Sequence, residues 1–423
     1  MLQVNYIRDN REKVLERLSV RNFKQTEVVD QIIQLDEERK QTQTSLDQIS
    51  AIANSSARQI GELMRTGKKE EAEALKAQTG SNKEQIKSLS EQLTDIEGRL
   101  FNLLVQVPNL PNELVKAGTT ADDNEVVSLH GEPAALPEGA LPHWELAAKY
   151  DIIDFELGVK ITGAGFPVYK GKGARLQRAL INFFLDHATD AGYREVQVPH
   201  MVNEASGFGT GQLPDKEGQM YHAGVDNLYL IPTAEVPVTN LYRDVILKEE
   251  ELPVKHTAYT PCFRREAGSY GAHVRGLNRL HQFDKVEVVQ IVHPSQSYEV
   301  LEEMSSYVQS LLQELGLHYR VLRLCGGDMG FTSAMTYDME VWSAAQQRWL
   351  EVSSVSNFET YQANRLKLRF KGQSGKTQLA HTLNGSALAL PRIVASILEN
   401  NQTDKGIKIP EALVKYTGFE YID

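Results

Sequence analysis

The sequence is poor in cysteine and has no long apolar segment. Cys262 and Cys325 are its only cysteines among 423 residues, which excludes a disulfide framework and argues against a zinc site built from thiolates. No apolar run reaches the roughly 18 residues that a membrane span needs, and the first ten residues lack the apolar core of a signal peptide. We therefore predict a cytosolic protein that does not cross a membrane.

An excess of basic residues is lacking as well. The chain has 45 Lys and Arg against 56 Asp and Glu, a formal net charge of −11 at pH 7. This balance argues mildly against nucleic acid as a partner, although a local basic patch can serve on an acidic protein. The composition, 41% hydrophobic and 24% charged, is ordinary for soluble globular domains, and the length leaves room for two to three of them.

Residues 28–103 carry a heptad pattern in two arms, broken once at Thr66-Gly67-Lys68. Seam residues at alternating spacings of three and four are Val28, Ile32, Leu35, Leu46, Ile49, Ala53, Ile60 and Leu63, then Ala72, Leu75, Ile86, Leu89, Leu93, Ile96, Leu100 and Leu103. Polar Arg39, Thr42 and Ser56 share the seam. The pattern predicts two antiparallel helices, each about 50 Å long.

This hairpin has two interpretations. Periodicity alone favours a dimerisation or spacer element. However, the region around its turn is basic, and a slender arm with a cationic end is suited to lie along an RNA backbone. The candidate RNA-binding residues are Arg58, Arg65, Lys68, Lys69 and Lys76.

Prolines within residues 107–111 end the second helix. We predict an N-terminal domain over residues 1–110, a polar linker over 111–127 and a second domain over 128–423. In the second domain, strand-like runs lie far apart with few strand–helix–strand alternations, which favours an antiparallel or mixed sheet and an α+β fold. The predicted strands are 193–199, 228–231, 254–259, 286–292, 319–324 and 349–352, and the predicted helices are 176–191 and 295–315.

The stretch from Phe263 to Glu287 predicts two strands joined by a hydrophilic loop with glycines at Gly268, Gly271 and Gly276. An arginine on a strand presents a rigid donor fork suited to phosphate or carboxylate. The pattern FRxE, a loop and HQFxKxE resembles motif 2 of class II aminoacyl-tRNA synthetases, in the form found in the seryl-tRNA synthetase family. That family implies a catalytic domain with an antiparallel sheet, a coiled-coil arm that binds tRNA, and a homodimer.

The resemblance also implies roles for single residues. Arg264 would bridge the ATP α-phosphate and the carboxylate of the amino acid. Glu266 would accept a hydrogen bond from the adenine amino group, Phe283 would stack on the base, and Glu287 would bind the serine ammonium. Further candidates are Arg265 and Leu280 for ATP, and Thr233, Ala234 and Glu235 for serine.

Two later segments complete the resemblance. Carboxylate and hydroxyl oxygens three residues apart suit Mg²⁺, a hard cation that also binds phosphate, so Glu351 and Ser354 are the metal candidates. The run from Thr382 to Arg392 resembles motif 3, in which Arg392 faces the γ-phosphate and Ser386 lines the amino-acid pocket. The ATP site would also include Val352 and Ser353, and the catalytic candidates are Arg264 and Arg392.

The implied reaction is activation of L-serine by ATP to seryl-adenylate, followed by transfer to the 3′ end of tRNA(Ser), with tRNA(Sec) as a further candidate. Mg²⁺ is expected with ATP, and zinc is not. Three alternatives stay open: a paralogue that loads a carrier protein, an RNA-binding scaffold with an inactive catalytic domain, and a class II synthetase for another amino acid. The long arm argues against the first alternative and the retained motif residues against the second. The Thr233-Ala234-Glu235 loop, together with the arm, argues against the third.

Overall fold

The computed structural model describes residues 1–267 and 274–423, and the chain divides into two compact units. The first unit comprises residues 1–19 and 23–108, and the second comprises residues 20–22 and 109–423. The segment 111–127, predicted as a linker, belongs to the second unit. Within the described residues, no helix is both long and apolar enough to cross a membrane.

The first unit consists mainly of a helical hairpin. Its helices are α1 (Val4–Asp9), α2 (Arg11–Val20), α3 (Glu27–Arg65) and α4 (Lys69–Leu104). The predicted seam side chains are buried or half-buried along α3 and α4, so the heptad prediction of a long hairpin is confirmed. Gly67, with a φ of +78°, takes the left-handed conformation in the turn between them. The 39 residues of α3 span about 58 Å at about 1.5 Å per residue.

The second unit combines helices with several sheets. Its helices are α5 (His143–Lys149), α6 (Phe155–Ile161), α7 (Gly171–Asp190), α8 (Glu204–Thr210), α9 (Glu235–Asn240), α10 (Ser297–Glu314), α11 (Thr360–Leu366), α12 (Leu390–Asn400) and α13 (Glu411–Thr417). Its longer strands are β1 (Glu125–His130), β9 (Val254–Phe263), β10 (Gln282–Val292), β11 (Tyr319–Arg323), β12 (Met335–Ser343), β13 (Arg348–Asn357) and β16 (His381–Ala389). The short strands are β2 (Ile153–Asp154), β3 (Val168–Tyr169), β4 (Arg194–Glu195), β5 (Met201–Val202), β6 (His222–Ala223), β7 (Leu228–Leu230), β8 (Ile246–Lys248), β14 (Arg369–Lys371), β15 (Thr377–Leu379), β17 (Gln402–Thr403), β18 (Gly406–Lys408) and β19 (Tyr421–Ile422).

An eight-stranded sheet forms the centre of the second unit. Its strand order is β1-β11-β12-β13-β16-β10-β9-β4, and its pairs are antiparallel except β4 with β9. The predicted α+β fold with an antiparallel sheet is therefore confirmed. The strand predicted over 193–199 is limited to β4, because at this sheet edge the pairing with β9 covers only two residues before the chain leaves.

One face of this sheet is apolar and packs against helices. On β10, Val286 and Val288 point to this face, and α7, α10 and α12 cover it with buried leucine, isoleucine and phenylalanine side chains. Each such side chain contributes roughly 1.5–3 kcal/mol when fully buried. Since side chains alternate along a strand, the residues between these valines point to the other face, where polar groups collect.

Candidate active site

Polar side chains of β10, β12, β13 and β16 share the face of the sheet opposite α7, α10 and α12, which we call the polar face. Directly opposed pairs across neighbouring strands are Glu287 with Ser386, Asp338 with Ser354, and Glu340 with Glu351. These residues come from segments up to a hundred positions apart. The antiparallel register brings the predicted motif 2, motif 3 and metal residues to one surface.

A β-bulge places the two metal candidates on the polar face together. Residues three apart on a regular strand point to opposite faces. The register of β12 and β13 shifts at this point, so that Val352 has no partner of its own. Val352 turns into the core, whereas Glu351 is exposed and Ser354 is half-buried. The bulge thus re-aims one side chain, as bulges near functional sites commonly do.

Two buried glutamates and a lysine form a charged cluster on this face. Glu287 is 2% exposed, and its Oε2 accepts a hydrogen bond from the Lys285 Nζ at 2.6 Å. The Ser386 Oγ lies 3.5 Å from the same oxygen. Lys285, itself buried, did not emerge from the sequence as a site residue, although it sits two positions before Glu287 and so shares its face.

Glu235 is the second buried carboxylate, at the start of α9. The Gln362 side-chain NH₂ donates to its Oε1 at 2.6 Å, and the Thr382 hydroxyl donates to the Gln362 carbonyl at 2.7 Å, which fixes the amide orientation. Burial and the nearby Glu287 carboxylate raise the pKa of Glu235 to about 7.

This cluster is short of positive charge when both glutamates are ionised. Among the residues that the structure describes, two carboxylates then face one ammonium, that of Lys285. A buried uncompensated charge is costly, so the cluster favours a cationic group from a ligand. The predicted serine-loop residues line the same place: Thr233 is buried, its hydroxyl accepting from the Glu235 backbone N–H at 3.2 Å, and Ala234 is buried against Val289.

Arg264 directly follows β9 and is held there by one nitrogen of its guanidinium. Its Nε donates to the Pro232 carbonyl at 3.3 Å, and its guanidinium lies 5.2 Å from the centre of the half-buried Phe283 ring. Within the described residues, the terminal guanidinium nitrogens meet no hydrogen-bond acceptor. An arginine fixed by one nitrogen and free at two others is suited to grip an oxyanion in a bidentate manner.

The other residues of the predicted ATP site differ in exposure. Arg265 is exposed, and the Glu266 carboxylate is half-buried and paired with Arg279 at 2.7 Å. Leu280 is part of the apolar core. Ser353 is buried and donates from its Oγ to the Ser386 carbonyl at 2.6 Å. The predicted glycines Gly268 and Gly271 lie outside the described residues.

Arg392 links the start of α12 to two other parts of the site. Its Nη1 donates to the Glu351 carbonyl at 2.6 Å and lies 3.6 Å from the Glu351 carboxylate, while its Nε donates to the Asn278 carbonyl at 3.1 Å. The motif 3 arginine, the metal candidate Glu351 and the returning end of the motif 2 stretch therefore meet at one point.

The surroundings of Glu351 and Ser354 fit Mg²⁺ brought by a nucleotide. Across the described part of the chain, no group of three or more His, Cys, Asp or Glu is arranged to hold a metal ion. Mg²⁺ at nucleotide sites usually needs only one or two protein ligands besides phosphate and water. Asp338, which was not predicted, lies opposite Ser354, and its buried Oδ1 has no partner among the described residues. Burial and the Glu351 carboxylate raise the pKa of Asp338 well above its usual value.

The arm places its predicted basic residues around the hairpin turn. All five are exposed, namely Arg58, Arg65, Lys68, Lys69 and Lys76. The Lys68 Nζ also pairs with the Glu71 carboxylate at 3.1 Å. Exposed cations grouped in this way agree with the electrostatics of RNA-backbone binding.

Two family models match the sequence. The model described as "Seryl-tRNA synthetase N-terminal domain" matches residues 1–111. The model described as "tRNA synthetase class II core domain (G, H, P, S and T)" matches residues 220–401. The two matches cover the helical arm and the polar face respectively.

Similar proteins extend over the whole chain. The serine--tRNA ligase of Salinibacter ruber is 51% identical over 424 residues, covering 100% of this chain and 99% of the relative. That of Akkermansia muciniphila is 48% identical over 424 residues, with 100% and 99% coverage. Among solved structures, the seryl-tRNA synthetase from Pyrococcus horikoshii complexed with ATP has a TM-score of 0.92, 32% identity and 99% coverage of both chains. The cytoplasmic enzyme from Naegleria fowleri in complex with AMP has a TM-score of 0.88 and 26% identity, with coverage of 100% of this chain and 99% of that one.

Proposed function

This chain belongs to the seryl-tRNA synthetase family, and we propose that it activates L-serine with ATP and then transfers the seryl group to the 3′ end of tRNA(Ser). The observation that carries the proposal lies on the polar face. The cluster of Glu235, Glu287 and Lys285 is short of positive charge, and near it the terminal guanidinium nitrogens of Arg264 meet no acceptor among the described residues. An amino acid carries a cation and an anion on neighbouring atoms, and this arrangement offers a partner to each. The relatives that share the chain's full length carry the same activity in their names.

Serine is proposed to bind with its ammonium at Glu235 and Glu287 and its carboxylate at Arg264. Ser386, whose Oγ lies 3.5 Å from the Glu287 carboxylate, and the Thr233 hydroxyl, which accepts from the Glu235 backbone N–H, are proposed to line the space for the serine side chain. A pocket that hydrogen-bonds a substrate hydroxyl rejects an analogue without it by roughly 10⁴–10⁵, because buried polar groups are then left unpaired. Alanine is therefore excluded strongly, and threonine is excluded by crowding against its extra methyl group.

ATP is proposed to lie between Phe283 and the two arginines. Phe283 stacks on the adenine, and Glu266 accepts from the adenine amino group while keeping its contact with Arg279. A serine carboxylate oxygen attacks the α-phosphorus, the bond to the bridging β-phosphate oxygen breaks, and diphosphate leaves. Arg264 offsets the repulsion between the two anions, and Arg392 binds the departing phosphates. The chemistry needs positioning and charge stabilisation but no protein nucleophile.

Glu351 and Ser354 are the proposed protein ligands of the Mg²⁺ that accompanies ATP. When bound, the ion neutralises phosphate charge in the transition state. Arg392, which contacts Glu351 in the free protein, keeps the carboxylate facing the phosphates. Glu351→Gln should raise the Mg²⁺ concentration needed for half-maximal activation. The cross-strand neighbour Glu340, whose carboxylate pairs with Arg320 at 2.6 Å, is the control: Glu340→Gln should leave that concentration unchanged.

In the second step, a ribose hydroxyl at the tRNA 3′ end attacks the adenylate carbonyl, and AMP leaves with the electrons of the broken acyl–phosphate bond. The helical hairpin is the proposed tRNA-binding element, with Arg58, Arg65, Lys68, Lys69 and Lys76 as phosphate contacts.

A cytosolic location and a homodimer are further proposals. The dimer is supported by exposed apolar side chains on α6, including Val159 and Ile161. Sedimentation of the purified protein at micromolar concentration tests it, and a single monomeric species would contradict it.

Charging of tRNA transcripts tests the full reaction. The purified protein, ATP, Mg²⁺ and labelled serine should give labelled tRNA(Ser) but not, for example, labelled tRNA(Pro). A tRNA(Sec) transcript in the same assay shows whether that tRNA is a second substrate. Formation of adenylate without transfer to any serine-accepting tRNA would contradict the second step, and labelling of tRNA(Ser) with another amino acid would contradict the pocket.

A further inference from the structure

A fully buried histidine and a fully buried glutamate are bonded to each other beside the site. His143 begins α5, and Glu399 lies near the end of α12; both have no exposed surface. The His143 Nε2 accepts a hydrogen bond from the Leu277 backbone N–H at 2.8 Å. The ring must therefore carry its proton on Nδ1, which donates to the Glu399 carboxylate at 2.6 Å.

The glutamate collects further donors. Its Oε1 also accepts from the His143 backbone N–H at 3.0 Å and the Gln346 side chain at 2.9 Å, and its Oε2 accepts from the Ser343 hydroxyl. A buried carboxylate with this many donors is fully hydrogen-bonded. Loss of one donor leaves an acceptor unpaired in the interior, which lowers the free energy of unfolding. Apolar residues of similar volume would stabilise the same site about as well, so stability alone does not account for this cluster.

The network ends on Arg392. The Gln346 carbonyl accepts from the Asn278 side chain at 2.9 Å, and the Asn278 backbone carbonyl accepts from the Arg392 Nε. Arg392 and Glu399 lie two turns apart on α12, so these hydrogen bonds connect the helix at two places with residues 276–278. We call this set of hydrogen bonds, which runs from His143 through Glu399, Gln346 and Asn278 to Arg392, the circuit. Gly276 has a φ of +66°, and a Cβ there would lie 2.2 Å from the His143 Nε2. The backbone approaches the imidazole as closely as glycine alone permits.

We propose that His143 and Glu399 are positioning residues for Arg392. They anchor residues 276–278 against α12, and the Asn278 carbonyl then holds the Arg392 guanidinium toward the nucleotide phosphates. Neither residue touches a proposed substrate group. The inference rests on the proposed function, because that function supplies the role of Arg392 in binding ATP.

Two substitutions at the same position separate the hydrogen bond to Leu277 from the hydrogen bond to Glu399. In His143→Asn the amide nitrogen takes the place of Nδ1, so the bond to Glu399 is kept and the acceptor for Leu277 is lost. In His143→Gln the amide oxygen reaches the place of Nε2, so the acceptor is kept and the bond to Glu399 is lost. We expect His143→Asn to raise the KM for ATP about tenfold in serine-dependent pyrophosphate exchange, a loss of about 1.4 kcal/mol of binding, with the KM for serine unchanged. We expect a smaller change in His143→Gln.

Calorimetry with a non-hydrolysable ATP analogue gives a second readout that needs no activity, and the same order of affinities is expected. Ser297→Ala is the matched control, because Ser297 is fully buried and binds the His381 ring at 2.8 Å in another part of the second unit. It should lower the melting temperature without changing the KM for ATP. If His143→Asn does not fold, Gln346→Ala breaks the same circuit at a half-buried position and should give the same selective rise.

Equal ATP affinities in wild type and His143→Asn would overturn the inference, as would equal rises in both KM values. These results differ from failure of the proposed function, in which the wild-type protein itself gives no serine-dependent exchange. In that case the calorimetric comparison still decides whether the circuit orients the ATP site.

Discussion

Glu235 illustrates how burial tunes a single side chain for binding. Its carboxylate is removed from water and faces Glu287, and both effects disfavour its ionised form. The Gln362 hydrogen bond offsets only part of this cost. A serine ammonium would neutralise the same site, so free energy lost by ionising Glu235 in the empty pocket is regained when the substrate binds.

Serine binding should therefore release protons near pH 7. Glu235, with a pKa of about 7, is largely neutral at pH 6 and ionised at pH 8, whereas the serine ammonium stays charged throughout. The KM for serine should fall as the pH rises toward 7, by at most about tenfold per pH unit. Calorimetry in two buffers of different ionisation enthalpy measures the released protons, and a buffer-independent enthalpy would contradict the assignment.

Glu235→Gln is the control for this effect, and it also changes stability. The pKa of Glu235 in the folded protein lies above its ordinary value of 4.5. Its contribution to the free energy of unfolding is thus fully present below about pH 4.5 and is lost as the pH rises through 7. The variant should bind serine weakly at every pH. It should also unfold at a higher temperature than wild type at pH 8, because it no longer buries that charge.

Arg264→Ala should lower the rate of serine activation by about 10²–10³-fold, since removing one preorganised donor from a transition state costs this much in other enzymes. The fold should be unchanged, because Arg264 makes only one hydrogen bond to the described residues. Arg369→Ala is the matched control: Arg369 is also half-buried and donates from its Nε to a backbone carbonyl, that of Lys367. Near-normal exchange in Arg264→Ala would refute the role of this arginine.

At the scale of single residues, the sequence analysis named the groups that lie in family motifs and missed Lys285 and Asp338, which share the polar face with Glu287 and Ser354. Asp338 had a signal in the sequence, because Asp338 and Glu340 stand between apolar neighbours on β12. Gln362 and His143 had no comparable signal, since their partners are more than 100 positions away.

The elements differ in how far local patterns determine them. The hairpin of α3 and α4 follows from its heptads, because each seam contact is local within a repeat. β9 was predicted to end at Tyr259 but continues to Phe263. Thr260 and Pro261 obscure the apolar pattern there, and pairing with β10 supplies the missing preference. The bulge at Val352 likewise depends on β12 and is invisible in the sequence of β13 alone.

The arm can be tested as an element. Replacing residues 28–103 by a short glycine-rich connection should leave serine activation near normal, because the proposed pocket lies wholly in the second unit. Transfer of serine to tRNA(Ser) should be abolished. Pyrophosphate exchange and charging, measured on the same preparation, give the two numbers. If the shortened protein still charges tRNA, the arm is a spacer.

At the scale of the whole molecule, a strongly acidic chain carries its proposed RNA contacts on a small basic region. The net charge of −11 gave little information about function, since a few exposed cations at the hairpin turn suffice for a phosphate backbone. The family matches divide in the same way, one over the arm and one over the class II core. Activation and tRNA binding are therefore proposed to reside in different units of the chain.

The most direct measurement is exchange of labelled pyrophosphate into ATP, with Mg²⁺ and each of the twenty amino acids in turn. The account predicts a signal with serine alone, because alanine is rejected by roughly 10⁴–10⁵ and threonine is excluded by crowding against its extra methyl group. A signal with a different amino acid would keep the class II chemistry and contradict the pocket assigned to Glu235, Glu287 and Ser386. Absence of exchange with all twenty would contradict the central claim that the polar face activates serine.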